Sequence, residues 1–334
     1  MPSARGALLL AGLAAVGCSQ DYPNPFAQIN RSQPPPAGAA LVVPTGMWSA
    51  EGGAPRELFA LEADGGNPTQ LTFCNQVTVC DFIDPVPSPD RNRMMARRST
   101  GEGGDSLVFL NLERSAEATL VPADQGVTGA DWSPQDGVVV FSARGEGGLE
   151  DLFRMDPSGQ NIASLTPGTP SVRERRPRID PSGAVAVYER IESGGKGSIY
   201  LFQSSVSQLP ITSGGPGEGV LPGSFEIVGS DTDPDFSPDA GSVVFRRLTA
   251  VGDAGVGNWD ILTIGLDGTN LAVIASGPVF RGAPDWGPRG IVFAEIDPAA
   301  GTARLVRVAP DGSDRQVLLT QPASTRLGAP RWLP

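Results

Sequence analysis

Apolar residues along this chain fall in short alternating or continuous runs broken by Gly, Pro, Asp and Ser, and no long window carries the three-four spacing of a capped amphipathic helix. Val138–Arg144 (VVVFSAR), Ala184–Arg190 (AVAVYER), Ser242–Arg247 (SVVFRR) and Ile291–Glu295 (IVFAE) are the clearest of these runs. β-branched and aromatic residues between turn formers predict half-buried strands. The pattern therefore predicts an all-β chain.

The runs sit inside a repeat. One motif, proline or alanine, a variable residue, an apolar or aromatic residue and a turn, starts at Pro85, Ala130, Pro177, Pro234, Pro284 and Pro330, at spacings of 45, 47, 57, 50 and 46 residues. A second motif, an apolar or aromatic pair followed by a turn, interleaves with it from Leu58, Leu107, Leu152, Ile199, Ile261 and Leu305. Each unit then reads as four short strands, and a period near 49 residues with four strands per unit predicts propeller blades. The first unit lacks its opening strand, while the C-terminus supplies an orphan one, PRWLP from Pro330. Joining the two predicts six blades, with the C-terminal strand completing the first blade and closing the ring.

These motifs resemble the TolB-like β-propeller family, whose blades carry PDWSPDG-type turns, an aspartate-apolar-aromatic strand and a Leu-Thr ending. The resemblance spans residues 40–334 and implies a six-bladed ring that serves as a binding scaffold. TolB itself places an α/β domain ahead of its propeller. Here only a short polar segment precedes the first strand, so TolB's partners are not carried over.

The N-terminus adds a compartment. Arg5 precedes an apolar run from Ala7 to Val16, too short to span a bilayer, so residues 1–17 read as an export signal. Ala15-Val16-Gly17-Cys18 resembles the lipobox of bacterial lipoproteins, which usually has Leu where Ala15 stands. That resemblance implies acylation of Cys18 and residence in the bacterial cell envelope, at an outer membrane facing the periplasm or the cell surface. Ordinary cleavage before an unmodified Cys18 is the alternative. Residues 18–39, with Pro34, Pro35 and Pro36, read as the lipidated cysteine and a flexible tether, and residues 40–334 as the propeller. Membrane contact is expected through the lipid only, and in an oxidising compartment Cys74 and Cys80 are candidates for a disulfide.

Composition narrows the chemistry. The chain of 334 residues has no His and a formal charge of −12, which removes the commonest general base and zinc ligand and leaves no basic field for nucleic acid. No Gly-x-Ser-x-Gly elbow or Walker spacing is present. The expected function is a non-catalytic scaffold, a monomer binding an envelope or extracellular protein without a cofactor. An acid-based carbohydrate-active enzyme, using paired carboxylates, and a calcium-stabilised receptor are the alternatives.

Three sets of residues are candidates for contact. The second position of the turn motif reads Val86, Asp131, Arg178, Asp235, Asp285 and Arg331 around the ring, which places three carboxylates and two guanidiniums near the channel. They would either hold a charged ligand or neutralise one another. Asp231, Asp233 and Asp235 alternate as oxygen ligands of a calcium loop do, though without the Gly and distal Glu of an EF-hand. The 57-residue spacing marks an insertion from Ser213 to Ser230, whose Leu221, Phe225, Ile227 and Val228 are expected to meet a partner. Trp132, Phe236, Trp286 and Trp332 share one motif position and are expected to wedge between blades.

Overall fold

A computed structural model describes residues 31–46, 55–73, 81–99, 104–133, 135, 137–168, 171–204, 207–224, 226–252 and 255–334. The segment expected to be an export signal, Cys18, Cys74, Cys80 and Phe225 lie outside the described residues.

The described residues form a ring of six antiparallel blades. From the channel outward, the second blade holds Asp81–Pro87, Arg93–Ser99, Asp105–Asn111 and Ala116–Val121. The third holds Gly129–Trp132, Val139–Arg144, Glu150–Met155 and Ala163–Ser164. In the fourth these are Val172–Ile179, Ala186–Glu192, Gly197–Ser204 and Ser207–Pro210, and in the fifth Asp231–Phe236, Ser242–Val251, Gly257–Gly265 and Ala272–Ala275. The sixth interrupts its inner strand, Phe280–Arg281 and then Asp285–Gly287, before Gly290–Asp297, Thr302–Val308 and Gln316–Pro322.

The first blade is built from both ends of the chain. Arg331–Trp332 pairs antiparallel with Leu41–Thr45, Trp332 opposite Leu41, and Glu57–Leu61 and Thr69–Gln70 follow. The expected closure is therefore present, and it hydrogen-bonds a sheet edge that would otherwise stand open.

Alternation along each strand puts apolar side chains between blades. Leu41, Val43 and Trp332 of the first blade pack with Val292, Ala294 and Leu305 of the sixth; Val42 and Leu58 pack with Phe82, Met94 and Val108 of the second. Trp132 and Phe236 are buried in the same way between the second and third and the fourth and fifth blades. The shared aromatic position thus supplies blade wedges. The turns after the inner strands close on their own side chains: Ser237 Oγ donates to Asp239 Oδ1 at 2.6 Å, and Asp180 Oδ1 accepts from the N–H groups of Ala184 and Val185.

One boundary differs from the sequence reading. Arg31–Ser32 pairs with Thr72–Phe73 at the outer edge of the first blade, Ser115 Oγ donates to the Ser32 carbonyl at 2.8 Å, and Ala39 is buried in the core. The part of the expected tether from residue 31 to residue 39 is therefore strapped to the ring. Its own backbone groups are extended and polar, and an open sheet edge offers them partners.

Candidate functional site

All inner strands run toward the same face, so the turn motifs gather at one mouth of the channel. Three of the inner strands shift register just before position two of the motif, between Ile83 and Val86, Arg175 and Arg178, and Thr232 and Asp235, while Gly129–Trp132 pairs without a shift.

At this mouth Arg331, on the closing strand, meets three blades. Its Nη2 lies 2.9 Å from Asp131 Oδ1, and its Nη1 lies 2.7 Å from Asp285 Oδ1 and 3.7 Å from Asp235 Oδ1. Arg178 Nε stands 4.0 Å from Asp235 Oδ1, and Arg178 Nη1 donates to the Ala130 carbonyl at 2.9 Å. Val86, the remaining member of the position, is buried in the apolar core.

The second oxygen of each carboxylate has a structural task. Asp131 Oδ2 accepts from the Ile179 N–H, Asp235 Oδ2 from the Trp286 N–H and Asp285 Oδ2 from the Trp332 N–H, at 2.8, 2.7 and 2.7 Å. Every acceptor sits one blade before its donor. The aspartates therefore staple neighbouring blades, while Arg331 neutralises them from the centre.

Burial and the charge of Asp285 push Asp235 up to about 7, against the opposing pull of Arg331 and Arg178. Burial acts to lower Arg331, but the charges of Asp285, Asp131 and Asp235 outweigh it and raise it above the ordinary arginine range.

A second ring, which the sequence reading missed, lies one step deeper. It consists of the residues immediately before each motif: Asp84, Gly129, Arg176, Asp233, Ala283 and Ala329. Asp84, Arg176 and Asp233 adopt left-handed φ of 48°, 54° and 51°, a conformation that disfavours side chains. Ion pairs hold them there. Asp84 Oδ2 lies 2.6 Å from Arg97 Nη2, and Asp233 lies 2.5 Å from Arg246 Nε and 3.2 Å from Arg176 Nε. Burial acts to raise Asp233, but Arg176 and Arg246 outweigh it and hold the carboxyl well below its ordinary range. The available signal was the residue preceding each repeated proline, charged in three of the six copies.

Gly129 belongs to this ring for a steric reason. A Cβ there would stand 2.7 Å from Arg176 Cα, so the bulge of the fourth blade requires a bare backbone beside it.

The calcium candidates do not come together as a cation site. Asp231 is held by Arg247 at 2.5 Å, Asp233 by Arg246 and Arg176, and Asp235 by the Trp286 N–H and Arg331. Among the described residues no three carboxylate, cysteine or histidine groups are placed to hold a metal ion. Arginine guanidiniums pair with all three carboxylates.

The insertion also has an internal role. Leu221 and Val228 pack with Leu248, Trp259 and Phe280, so two of its apolar residues serve a satellite core. Glu226 Oε1 reaches Arg176 Nη1 at 3.2 Å from the face opposite the mouth, and Lys196 Nζ donates to the carbonyls of Gly215 and Gly217 at 2.8 and 2.9 Å. Ile227 lies beside Val220 at a surface concavity on that face.

With the charges paired, what the mouth offers is a basin of about 380 Å3 above Arg331. Trp132, Phe236, Trp286 and Trp332 line it together with the paired Asp131, Asp235, Asp285 and Arg331, and the exposed prolines 181, 238 and 288 ring it.

The chain superimposes on solved propeller structures. The chain shares the fold of the TolB propellers. It superimposes on TolB from Acinetobacter baumannii with a TM-score of 0.66 at 16% identity, covering 90% of this chain and 68% of that one. For a putative TolB from Agrobacterium tumefaciens the values are 0.58 and 17%, with 89% and 98% covered. An oligogalacturonate lyase solved in complex with manganese follows at 0.52 and 12%, with 84% and 74% covered. No protein-family profile and no curated protein sequence matches the chain. The likeness to the TolB structures is one of fold.

Proposed function

We propose that this protein is a non-catalytic cell-envelope lipoprotein, anchored through Cys18, whose propeller is a scaffold for another envelope or extracellular protein. The observation that carries this reading is the basin at the channel mouth. Its charged groups are spent on one another and on blade staples, so the surface left for a ligand is aromatic and proline-rich. Apolar floors with a rigid rim suit a protruding side chain or loop of a partner. The TolB-like fold supports the scaffold reading at the level of architecture.

An acid-based carbohydrate-active enzyme is the less favoured reading. Its chemistry would have to free at least two carboxylates, and Asp131, Asp235 and Asp285 each give an oxygen to a backbone N–H of the next blade.

The test is affinity capture of the tagged, membrane-extracted protein after mild cross-linking, with the rim variants Pro238→Glu and Pro288→Glu beside the wild type. A stoichiometric protein partner lost in both variants supports the reading. The absence of a reproducible partner, or one indifferent to both rims, overturns it. Intact mass of the extracted chain reads the acylation of Cys18 directly.

A further inference from the structure

The face opposite the mouth carries a second concavity, of about 460 Å3, which the repeat alone would not build. One wall is the insertion, contributing Val220 and Ile227; the others are Leu149, from the hairpin between the second and third strands of the third blade, and Ile191 with Glu192, from the equivalent hairpin of the fourth. Val220 is 60% exposed on a loop held in place by Lys196 and Glu226.

The exposed charges around this concavity are mostly acidic, although Arg173 lines it. The Glu192 side chain is 67% exposed and lies 3.7 Å from Arg190 Nη2, Glu146 is exposed on the same hairpin as Leu149, and Glu218 is exposed two residues before Val220. Three neighbouring cations are engaged: Arg173 Nη1 lies 2.6 Å from Glu150, Arg190 donates to Gln208 at 3.0 Å, and Lys196 is held by two carbonyls; Arg144 is exposed at the base of the third-blade hairpin. An apolar hollow with an acidic rim selects its occupant by charge. It repels anionic lipid and nucleic acid, and a second copy of a chain carrying −12 is disfavoured in the same way.

We propose that this concavity docks a basic segment of a partner polypeptide in which Lys or Arg alternates with Leu, Ile or Val. The apolar side chains enter between Leu149, Ile191, Val220 and Ile227, and the basic ones meet Glu146, Glu192 and Glu218. This goes beyond the mouth reading: it is a separate surface, on the opposite face, created by the one long departure from the repeat.

The probe is a synthetic peptide of about twelve residues alternating Lys with Leu and Val and bearing a photoreactive group, a length suited to a contact below standard interface size. Controls are the same peptide with Glu for Lys, the same with Ser for Leu and Val, and anionic phosphatidylglycerol vesicles. The full chain is used, as wild type and as Val220→Ser with Glu192→Gln; both residues are exposed, so an unchanged thermal transition is expected of the double variant. Cross-links confined to the two hairpins and the insertion, a loss of affinity on the order of tenfold in the double variant and weakening by salt support the proposal. Cross-links at the basin around Trp286 or spread over the surface, equal binding by either control peptide or by the vesicles, self-association of the chain through this face, or indifference to the double variant overturns it. The mouth variants do not touch this surface, so its failure and that of the scaffold reading are told apart.

Discussion

Arg331 Nη2 lies 2.9 Å from Asp131 Oδ1, which ties the strand closing the ring to an aspartate 200 residues earlier in the chain. The same guanidinium reaches Asp285 and Asp235, so one side chain of the terminal strand neutralises carboxylates from the third, fifth and sixth blades. Ring closure and channel electrostatics are therefore one feature.

Arg331→Ala removes the central cation and leaves three buried carboxylates facing each other. Breaking a buried pair typically costs about 3–5 kcal/mol, and a loss of that order is expected in equilibrium denaturant unfolding. Deleting Pro330 to Pro334 should cost more, since it also reopens the sheet edge and empties the site of Trp332, whose Nε1 donates to the Gly290 carbonyl at 3.0 Å.

Stability should fall as pH rises from the acid side of neutrality, through Asp235. Its folded pKa of about 7 stands above the ordinary 3.8, so the folded state binds the proton more tightly than the unfolded chain. Its contribution is complete below pH 3.8 and is lost as pH rises through 7. Glu174, raised to about 7 by burial and the nearby Asp151 charge, acts in the same sense. Asp235→Asn should flatten the slope of melting temperature against pH in this window. A variant with the wild-type slope would remove Asp235 as its source.

Gly129→Ala should destabilise the ring by about 1–3 kcal/mol, because the new methyl group meets backbone at Arg176 where no flexible side chain can move aside. Chemical denaturation measures it. Most alanines replacing glycine in a strand would be neutral or stabilising, which gives the measurement its sign.

Lys196→Ala should free the insertion without opening the ring. Limited proteolysis is expected to cut between residues 213 and 219 faster than in wild type, with global unfolding changed by less than about 1 kcal/mol. Equal proteolysis would show that Glu226 and the Leu221–Trp259 packing suffice to hold the segment.

Much of the architecture was legible in one dimension because a propeller repeats its physics. Each blade needs the same turn, the same aromatic wedge and the same strand alternation, so Trp132, Phe236 and Trp332 announced their burial by recurring in register. The orphan PRWLP announced the closure for the same reason: an unpaired strand at one end and a missing strand at the other have one economical solution. The sequence also placed Asp131, Asp235, Asp285 and Arg331 at one mouth.

What the tertiary structure alone decided was how those charges are spent. Sequence spacing sets height along a channel but not which oxygen meets which N–H across a blade boundary, and that division turned three carboxylates into staples and left Asp231, Asp233 and Asp235 paired with guanidiniums. The strapping of residues 31–39, the left-handed Asp84, Arg176 and Asp233, and the inward turn of Leu221 likewise depend on partners far away in the chain. Local repetition is readable because each copy obeys the same constraint; pairing between distant charges is not, because it is settled only when the ring has closed around them.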